Sequence, residues 1–182
     1  MSINNKERRQ LLIDEMDRLK SESLTCARCT GANCCTFELN SMKITPLEAI
    51  ELKLFLESSD RWNADLFEEL RQCVSHYRLD NLHQGYAKKN IAIRKTYTCP
   101  FLKKGSLGCT IDPASKPYGC LGFNAQKTNA VDNKNCNSNQ EILQERADHW
   151  EQEEIQKNTE LKEEFGLDWD KLPIPNALLS FL

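Results

Sequence analysis

Eight of the nine cysteines in this 182-residue chain fall into two groups of four. The first group has the tight spacing Cys-x2-Cys-x4-Cys-Cys, whereas nine, ten and fifteen residues separate the members of the second. In chain order the groups are Cys26, Cys29, Cys34 and Cys35, followed by Cys99, Cys109, Cys120 and Cys136. Because thiolates in fours hold zinc, iron and iron–sulfur clusters, the spacing predicts a metalloprotein with these eight side chains as ligands.

The expected compartment also favours metal ligands over disulfides. The first residues are polar and charged and lack the apolar run of a signal peptide. No apolar stretch reaches membrane-spanning length, and the apolar segment Leu172–Leu182 is short and broken by prolines. We therefore expect a cytoplasmic protein with no membrane contact, and in a reducing cytoplasm clustered cysteines indicate metal binding or catalysis.

The adjacent pair Cys34 and Cys35 bears on the number of metal centres. Neighbouring residues of an extended backbone point to opposite sides, so one ion rarely takes both. The pair therefore indicates two four-thiolate centres, one multinuclear centre, or one ligand beside a packing or reactive thiol. A thioredoxin-like redox pair at Cys26 and Cys29 is disfavoured, because no βαβ pattern surrounds it.

The spacing favours iron slightly over zinc. Structural zinc usually joins two short Cys-x2-Cys knuckles, and the second group of cysteines has none. Iron–sulfur ligands tolerate irregular spacing, and Cys99-Pro100 is similar to the end of a ferredoxin ligand run. We predict an iron–sulfur cluster or iron, with zinc as the alternative.

Hydrophobic periodicity predicts a mainly helical α+β fold. A small, irregular, metal-stabilised cysteine-cluster domain with a short hairpin is flanked by an N-terminal and a C-terminal helix. The predicted domains are an N-terminal amphipathic helix at 1–23, the cysteine-cluster domain at 24–138, and an acidic helix and tail at 139–182. The predicted elements are helices at 4–23, 46–57, 62–79 and 139–165, strands at 36–44 and 91–99, and a hairpin at 101–111.

Local signals fix several of these boundaries. Thr45, Pro46 and Glu48 form a capping-box start for the second helix. Ser138 and Glu141 form a second capping box before the long acidic helix, and Gly166 ends it.

The ninth cysteine, Cys73, occupies an apolar position on the stripe of the helix at 62–79. Free cysteine packs well as a small hydrophobic residue, so we interpret Cys73 as part of the core. The alternative is a Cys-x2-His ligand pair with His76. His83 and His149 are interpreted as surface or capping residues.

Charge is unevenly distributed along the chain. Residues 88–134 carry nine basic and two acidic side chains, whereas residues 139–171 carry eleven acidic and four basic ones. The basic segment would offset the negative charge of a four-thiolate centre. The acidic C-terminal helix is a candidate surface for an unknown protein partner, and without interleaved aromatic residues nucleic-acid binding is not expected.

The ordered cysteines and the motifs between them resemble the YkgJ-type cysteine-cluster family, described as a zinc- or iron-chelating domain. The resemblance covers roughly residues 24–138. The motifs that carry it are Cys26-x2-Cys29-x4-Cys34-Cys35, Thr45-Pro46-x-Glu48, Cys99-Pro-Phe-Leu102, Gly108-Cys109-x-Ile111 and Pro117-x2-Cys120. It implies that the same eight cysteines are ligands and that Cys73 is not. The family's arginines around the seventh cysteine are here Lys116 and Leu121.

These observations leave three functions open. The first is a metal or cluster protein in electron transfer or metal handling, which we favour. The second is a structural zinc domain that serves protein–protein interaction, and the third is a metal- or cluster-dependent enzyme of unknown substrate. The sequence lacks a phosphate-binding loop, a nucleophile elbow and a deaminase signature, so no enzyme class is indicated.

Overall fold

The computed structural model describes residues 4–21, 33–81, 95–103, 108–125 and 136–182. Cys26, Cys29 and His83 lie outside these ranges, as do six of the nine basic residues of the segment 88–134 and residues 91–94 of the strand predicted at 91–99. Within them the chain is mainly helical with two small antiparallel strand pairs, which confirms the predicted α+β class. No helix of the described part is long and apolar enough to cross a lipid bilayer.

Six α-helices and four short strands follow one another along the described chain. Four single turns of 3-10 helix accompany them, at Glu7–Arg9, Asn33–Cys35, Leu79–Asn81 and Pro113–Ser115. The helices are α1 (Gln10–Ser21), α2 (Pro46–Ser58), α3 (Ala64–Tyr77), α4 (Tyr118–Leu121), α5 (Gln140–Phe165) and α6 (Ile174–Leu179). The strands are β1 (Lys43–Ile44), β2 (Phe123–Ala125), β3 (Cys136–Ser138) and β4 (Leu172–Pro173).

Local capping chemistry explains where the longer helices begin and end. The predicted capping box of α2 is present: Thr45 Oγ1 accepts from the N–H of Glu48, and the Glu48 carboxylate accepts from the N–H of Thr45 at 3.0 Å. Helix α5 begins one residue later than predicted, because Asn139 rather than Ser138 caps it. Its predicted stop is confirmed, since Gly166 has φ of 63°, a left-handed conformation that suits glycine.

Where the structure describes them, the two predicted strands are largely absent. Residues 36–40 form a turn, in which the N–H of Asn40 donates to the carbonyl of Thr36 at 2.9 Å, and only Lys43–Ile44 pairs as a strand. Residues 95–99 form no strand either. One side-chain and one backbone hydrogen bond join the two segments without a strand ladder: Asn40 Nδ2 donates to the carbonyl of Tyr97, and the N–H of Tyr97 donates back to the carbonyl of Asn40, both at 2.9 Å.

The hairpin predicted at 101–111 is present in a minimal form. A single antiparallel bridge joins Leu102 and Cys109. The N–H of Lys103 donates to the carbonyl of Gly108 at 3.0 Å, and Gly108 has φ of 112°, which favours glycine. The tip of the hairpin lies outside the described residues.

The main core joins segments that are far apart in the sequence. Helices α2, α3 and α6 pack around Phe101 and Ile111 of the cysteine hairpin. The C-terminal tail, for which the sequence predicts no element, pairs through β4 with β1 and buries Ile174 and Leu178 completely. The hydroxyl of Tyr97 links the segment before β1 to the C-terminal tail, because it donates to the carbonyl of Met42 at 2.6 Å and accepts from the N–H of Ile174 at 3.1 Å.

Candidate metal centre

Four of the eight candidate ligands lie close enough for their thiols to interact electrostatically: Cys35, Cys99, Cys109 and Cys120. The backbone N–H of Cys99 donates to the carbonyl of Cys35 at 2.8 Å. The thiol of Cys120 interacts electrostatically with the other three, and the thiol of Cys99 with both Cys109 and Cys35. The first and second cysteine groups of the sequence therefore meet at one place, with one thiol from the first and three from the second.

Four different local structures present these cysteines. Cys35 ends the 3-10 turn Asn33–Cys35, and Cys99 follows the segment that Asn40 and Tyr97 hold together. Cys109 lies opposite Leu102 in the minimal hairpin, and Cys120 lies in the one-turn helix α4. Long sequence separations between ligands thus correspond to separate elements that pack at a common point.

Backbone N–H groups are directed at two of the sulfurs. The N–H of Ile111 donates to Cys109 Sγ at 3.4 Å, and the N–H of Phe101 donates to the thiol of Cys99. Both donors lie two residues after the cysteine, so the two turns have the same local design. Hydrogen bonds of this kind stabilise a thiolate and would continue to do so when it binds a metal.

Burial is the largest influence on the thiols and raises the pKa of Cys99, Cys109 and Cys120 above the ordinary value. The neighbouring thiols raise each pKa further, because adjacent thiolates repel one another. At Cys109, the N–H of Ile111 and the charges of Lys116 and Arg61 act in the opposite direction. Without metal these thiols stay protonated at neutral pH, so metal binding must displace protons from them.

The structure tests the remaining candidate ligands only in part. Cys34 precedes Cys35 in the same 3-10 turn, where adjacent side chains are rotated by about 120° rather than the opposite directions expected of extended backbone. Cys136 lies in β3, in register with Ala125. Across the described part of the chain, no group of three or more His, Cys, Asp or Glu side chains forms a ready-made metal site.

Cys73 is buried in α3, as the prediction of a core residue required. It packs with Leu79 and Tyr97, and its sulfur lies 3.6 Å from the carbonyl oxygen of Thr98. Burial raises the pKa of Cys73 from 9.0 to about 11. His76, the other half of the alternative ligand pair, instead contacts the ring of Tyr77 at a centroid distance of 4.6 Å.

Sequence reasoning missed a guanidinium beside the thiols. Arg61, in the connection between α2 and α3, donates to the carbonyl and to the hydroxyl of Thr110, each at 2.9 Å. Its charge and that of Lys116 lower the pKa of Cys109. Nothing in the local sequence around Arg61 indicates this role, because the α2–α3 connection lies about 50 residues from the hairpin that it contacts.

A buried polar network behind Cys120 was missed as well. Glu48 is capping-box partner of Thr45, and it also accepts from the N–H of Tyr118 at 2.9 Å. Burial raises the pKa of Glu48, although these two backbone N–H groups act against that rise. Tyr118 in turn contacts three buried arginines, Arg8, Arg9 and Arg146.

The raised thiol pKa values predict that alkali destabilises the metal-depleted protein. A thiol whose pKa is higher in the folded state stabilises the fold below its unfolded pKa, and this stabilisation is lost as pH rises towards the folded value. Between about pH 8.5 and pH 10, the free energy of unfolding should therefore fall with pH, by up to about 1.4 kcal/mol per pH unit for each such thiol. Urea unfolding at pH 7, 8.5 and 10 measures this, and a flat profile would contradict it.

No protein family matches the sequence, and no curated protein and no solved structure was found to be similar to it. The arrangement itself is a set of neighbouring, partly buried thiols at the junction of a small hairpin, two short helical turns and an irregular segment. Membership of the YkgJ-type family stays a prediction from the cysteine motifs.

Proposed function

We propose that the protein is a cysteine-cluster metalloprotein and that Cys35, Cys99, Cys109 and Cys120 form one four-thiolate centre. The observation that supports this most strongly is their convergence from both cysteine groups, since the four lie up to 85 residues apart in the sequence. The N–H groups aimed at Cys99 and Cys109 and the nearby cations Arg61 and Lys116 suit the negative charge that four thiolates carry.

The donor set fits a soft metal. Four sulfurs with no carboxylate or imidazole among them suit zinc or iron, and a metal centre that forms on folding need not be preformed without its metal. Binding would draw the gathered thiols into direct coordination and deprotonate them. The neighbouring Cys34, with Cys26, Cys29 and Cys136, is left for a second set of ligands, which would explain why the chain has eight candidate ligands.

Iron, as an iron–sulfur cluster, is the metal that we propose, with electron transfer or metal handling in the cytoplasm as the role. The irregular spacing of Cys35, Cys99, Cys109 and Cys120, which includes no Cys-x2-Cys pair, supports iron over zinc. A closed four-thiolate centre provides no open position for a substrate, so the proposal does not include turnover.

Anaerobic purification tests the metal and its identity together. We expect brown protein with charge-transfer absorption that dithionite bleaches reversibly, and iron and acid-labile sulfide at more than one atom each per chain. Removal of the metal by a chelator should leave the protein colourless. It should also lower the ellipticity, because the centre joins four segments of the chain. Colourless native protein with one zinc atom per chain would contradict the iron proposal, and protein without any metal would contradict the metal-binding proposal.

A further inference from the structure

Tyr118 lies two residues before Cys120 and is enclosed by charged groups from three parts of the chain. Its hydroxyl accepts from Arg8 Nη2 at 2.9 Å and donates to Glu154 Oε1 at 2.6 Å. The guanidinium of Arg146 lies 3.2 Å from the centroid of its ring, and that of Arg9 lies 4.5 Å from it. The ring is therefore held by two cation–π contacts and the hydroxyl by two hydrogen bonds.

The charges around Tyr118 are paired, and all of them are buried except Glu154, which is partly exposed. Arg8 and Arg9 both bind the carboxylate of Glu51, in α2, with Arg9 Nη2 at 2.6 Å. Arg146, in α5, pairs with Glu154 and also donates from Nε to the carbonyl of Arg8 at 2.7 Å. We call Arg8, Arg9, Arg146, Glu51, Glu154 and Tyr118 the arginine clamp. Both arginines of the N-terminal turn are at most 3% exposed.

The arginine clamp reaches the backbone that carries Cys120. Arg9 Nε donates to the carbonyl of Lys116 at 2.7 Å, and the N–H of Tyr118 donates to Glu48 at 2.9 Å. The N–H of Cys120 then donates to the carbonyl of Pro117 at 3.0 Å, which closes the single turn of α4. Residues 116–118 are thus fixed on both sides immediately before the cysteine.

Stability alone does not account for this arrangement. Desolvating buried ion pairs costs about as much as their attraction returns, so apolar residues of similar size would hold the same elements together. Apolar packing is not directional. A network of oriented hydrogen bonds, with guanidinium groups stacked on the Tyr118 ring, instead fixes the position of one short helix relative to two distant segments.

We propose that Tyr118 is a positioning residue for Cys120, and that docking of the N-terminal turn Glu7–Arg9 through the arginine clamp keeps the thiol centre closed. The role of Cys120 as a ligand rests on the proposed function. The mechanical link between the N-terminal turn and the thiol of Cys120 does not, since it follows from the contacts of the chain itself. Release of the turn would loosen α4 and expose the thiol.

Alkylation of the individual thiols tests the link in the metal-depleted full-length protein. Iodoacetamide is added under native conditions, and the rate at each cysteine is read by peptide mass spectrometry. In Tyr118→Phe and in Arg9→Lys, the rate at Cys120 should rise about tenfold, the factor expected from the loss of one buried hydrogen bond to a charged group. Cys73, buried in α3, is the internal control and should keep its native rate.

Arg18→Lys is the matched control for Arg9→Lys, because Arg18 forms an exposed pair with Glu15 in α1. It should leave Cys120 unchanged. An unchanged rate at Cys120 in Tyr118→Phe, or an equal acceleration at Cys120 and Cys73, would overturn the proposal, the latter because it reports general loosening. Metal transfer to a chelator, measured on the loaded protein, should accelerate in the same two variants. Native protein that binds no metal would overturn the proposed function and leave the alkylation result to decide the link.

Discussion

Replacing Cys99 with serine is expected to abolish the proposed four-thiolate centre. Serine keeps the shape of the side chain, but its hydroxyl is a poor ligand for the soft metals that thiolates hold. Cys99 is connected to each of the other three, because its N–H donates to the carbonyl of Cys35 and its thiol interacts with those of Cys35, Cys109 and Cys120. Elemental analysis should show the loss of this centre's metal. The melting temperature should fall by roughly 10 °C, since each kcal/mol shifts it by about 2–4 °C at this chain length.

Cys73→Ser is the matched control for Cys99→Ser. It makes the same change at Cys73, a buried cysteine of α3 that lies near Cys99 but is not one of the four proposed ligands. Because Cys73 is not a proposed ligand, we expect full metal content in Cys73→Ser. A serine hydroxyl can still donate to the carbonyl of Thr98, so the free energy of unfolding should fall by only about 1 kcal/mol. Full metal content in Cys99→Ser, or an equal loss of metal in both variants, would count against the assignment of the ligands.

What the sequence predicts well is local. The capping box of Thr45 and Glu48 is confirmed because four consecutive residues and one reciprocal pair of hydrogen bonds define it. The same holds for Gly166 at the end of α5, where only a left-handed residue was needed. The core position of Cys73 is confirmed for a related reason, since the helical period of α3 shows it directly.

What the sequence does not predict depends on contacts across the chain. The polar start of the chain gives no sign that Arg8 and Arg9 are buried, because their partner Glu51 lies 42 residues away from Arg9. The acidic residues of α5 suggest a solvated face, and Glu154 departs from that pattern by pairing with Arg146 and Tyr118. Burial would raise the pKa of Glu154, but these hydrogen bonds lower it below the ordinary value. The candidate ligands also depend on contacts between distant residues. Spacing identifies the candidate cysteines, whereas only packing shows which of them lie near one another.

Glu51→Ala is expected to destabilise the protein by about 3–5 kcal/mol, the usual cost of leaving buried charges without their partner. The Glu51 side chain is fully buried and pairs with two arginines that are almost fully buried. Removing it takes away the carboxylate that Arg8 and Arg9 share, although Arg8 keeps its pair with Glu154 at 3.2 Å. Urea unfolding at pH 7 measures the effect, and it should be present with or without metal, because the arginine clamp does not include a ligand.

Glu57→Ala is the matched control on the same helix. Glu57 pairs with Lys53 at the surface and is 39% exposed, so its removal should cost about 0–1 kcal/mol. Glu51→Gln separates charge from shape, since the amide keeps the volume of the side chain but is neutral and has only one oxygen that can accept hydrogen bonds. If the ionic pairing matters, Glu51→Gln should lose nearly as much stability as Glu51→Ala, whereas a native-like value would show that packing around Glu51 is what α2 requires.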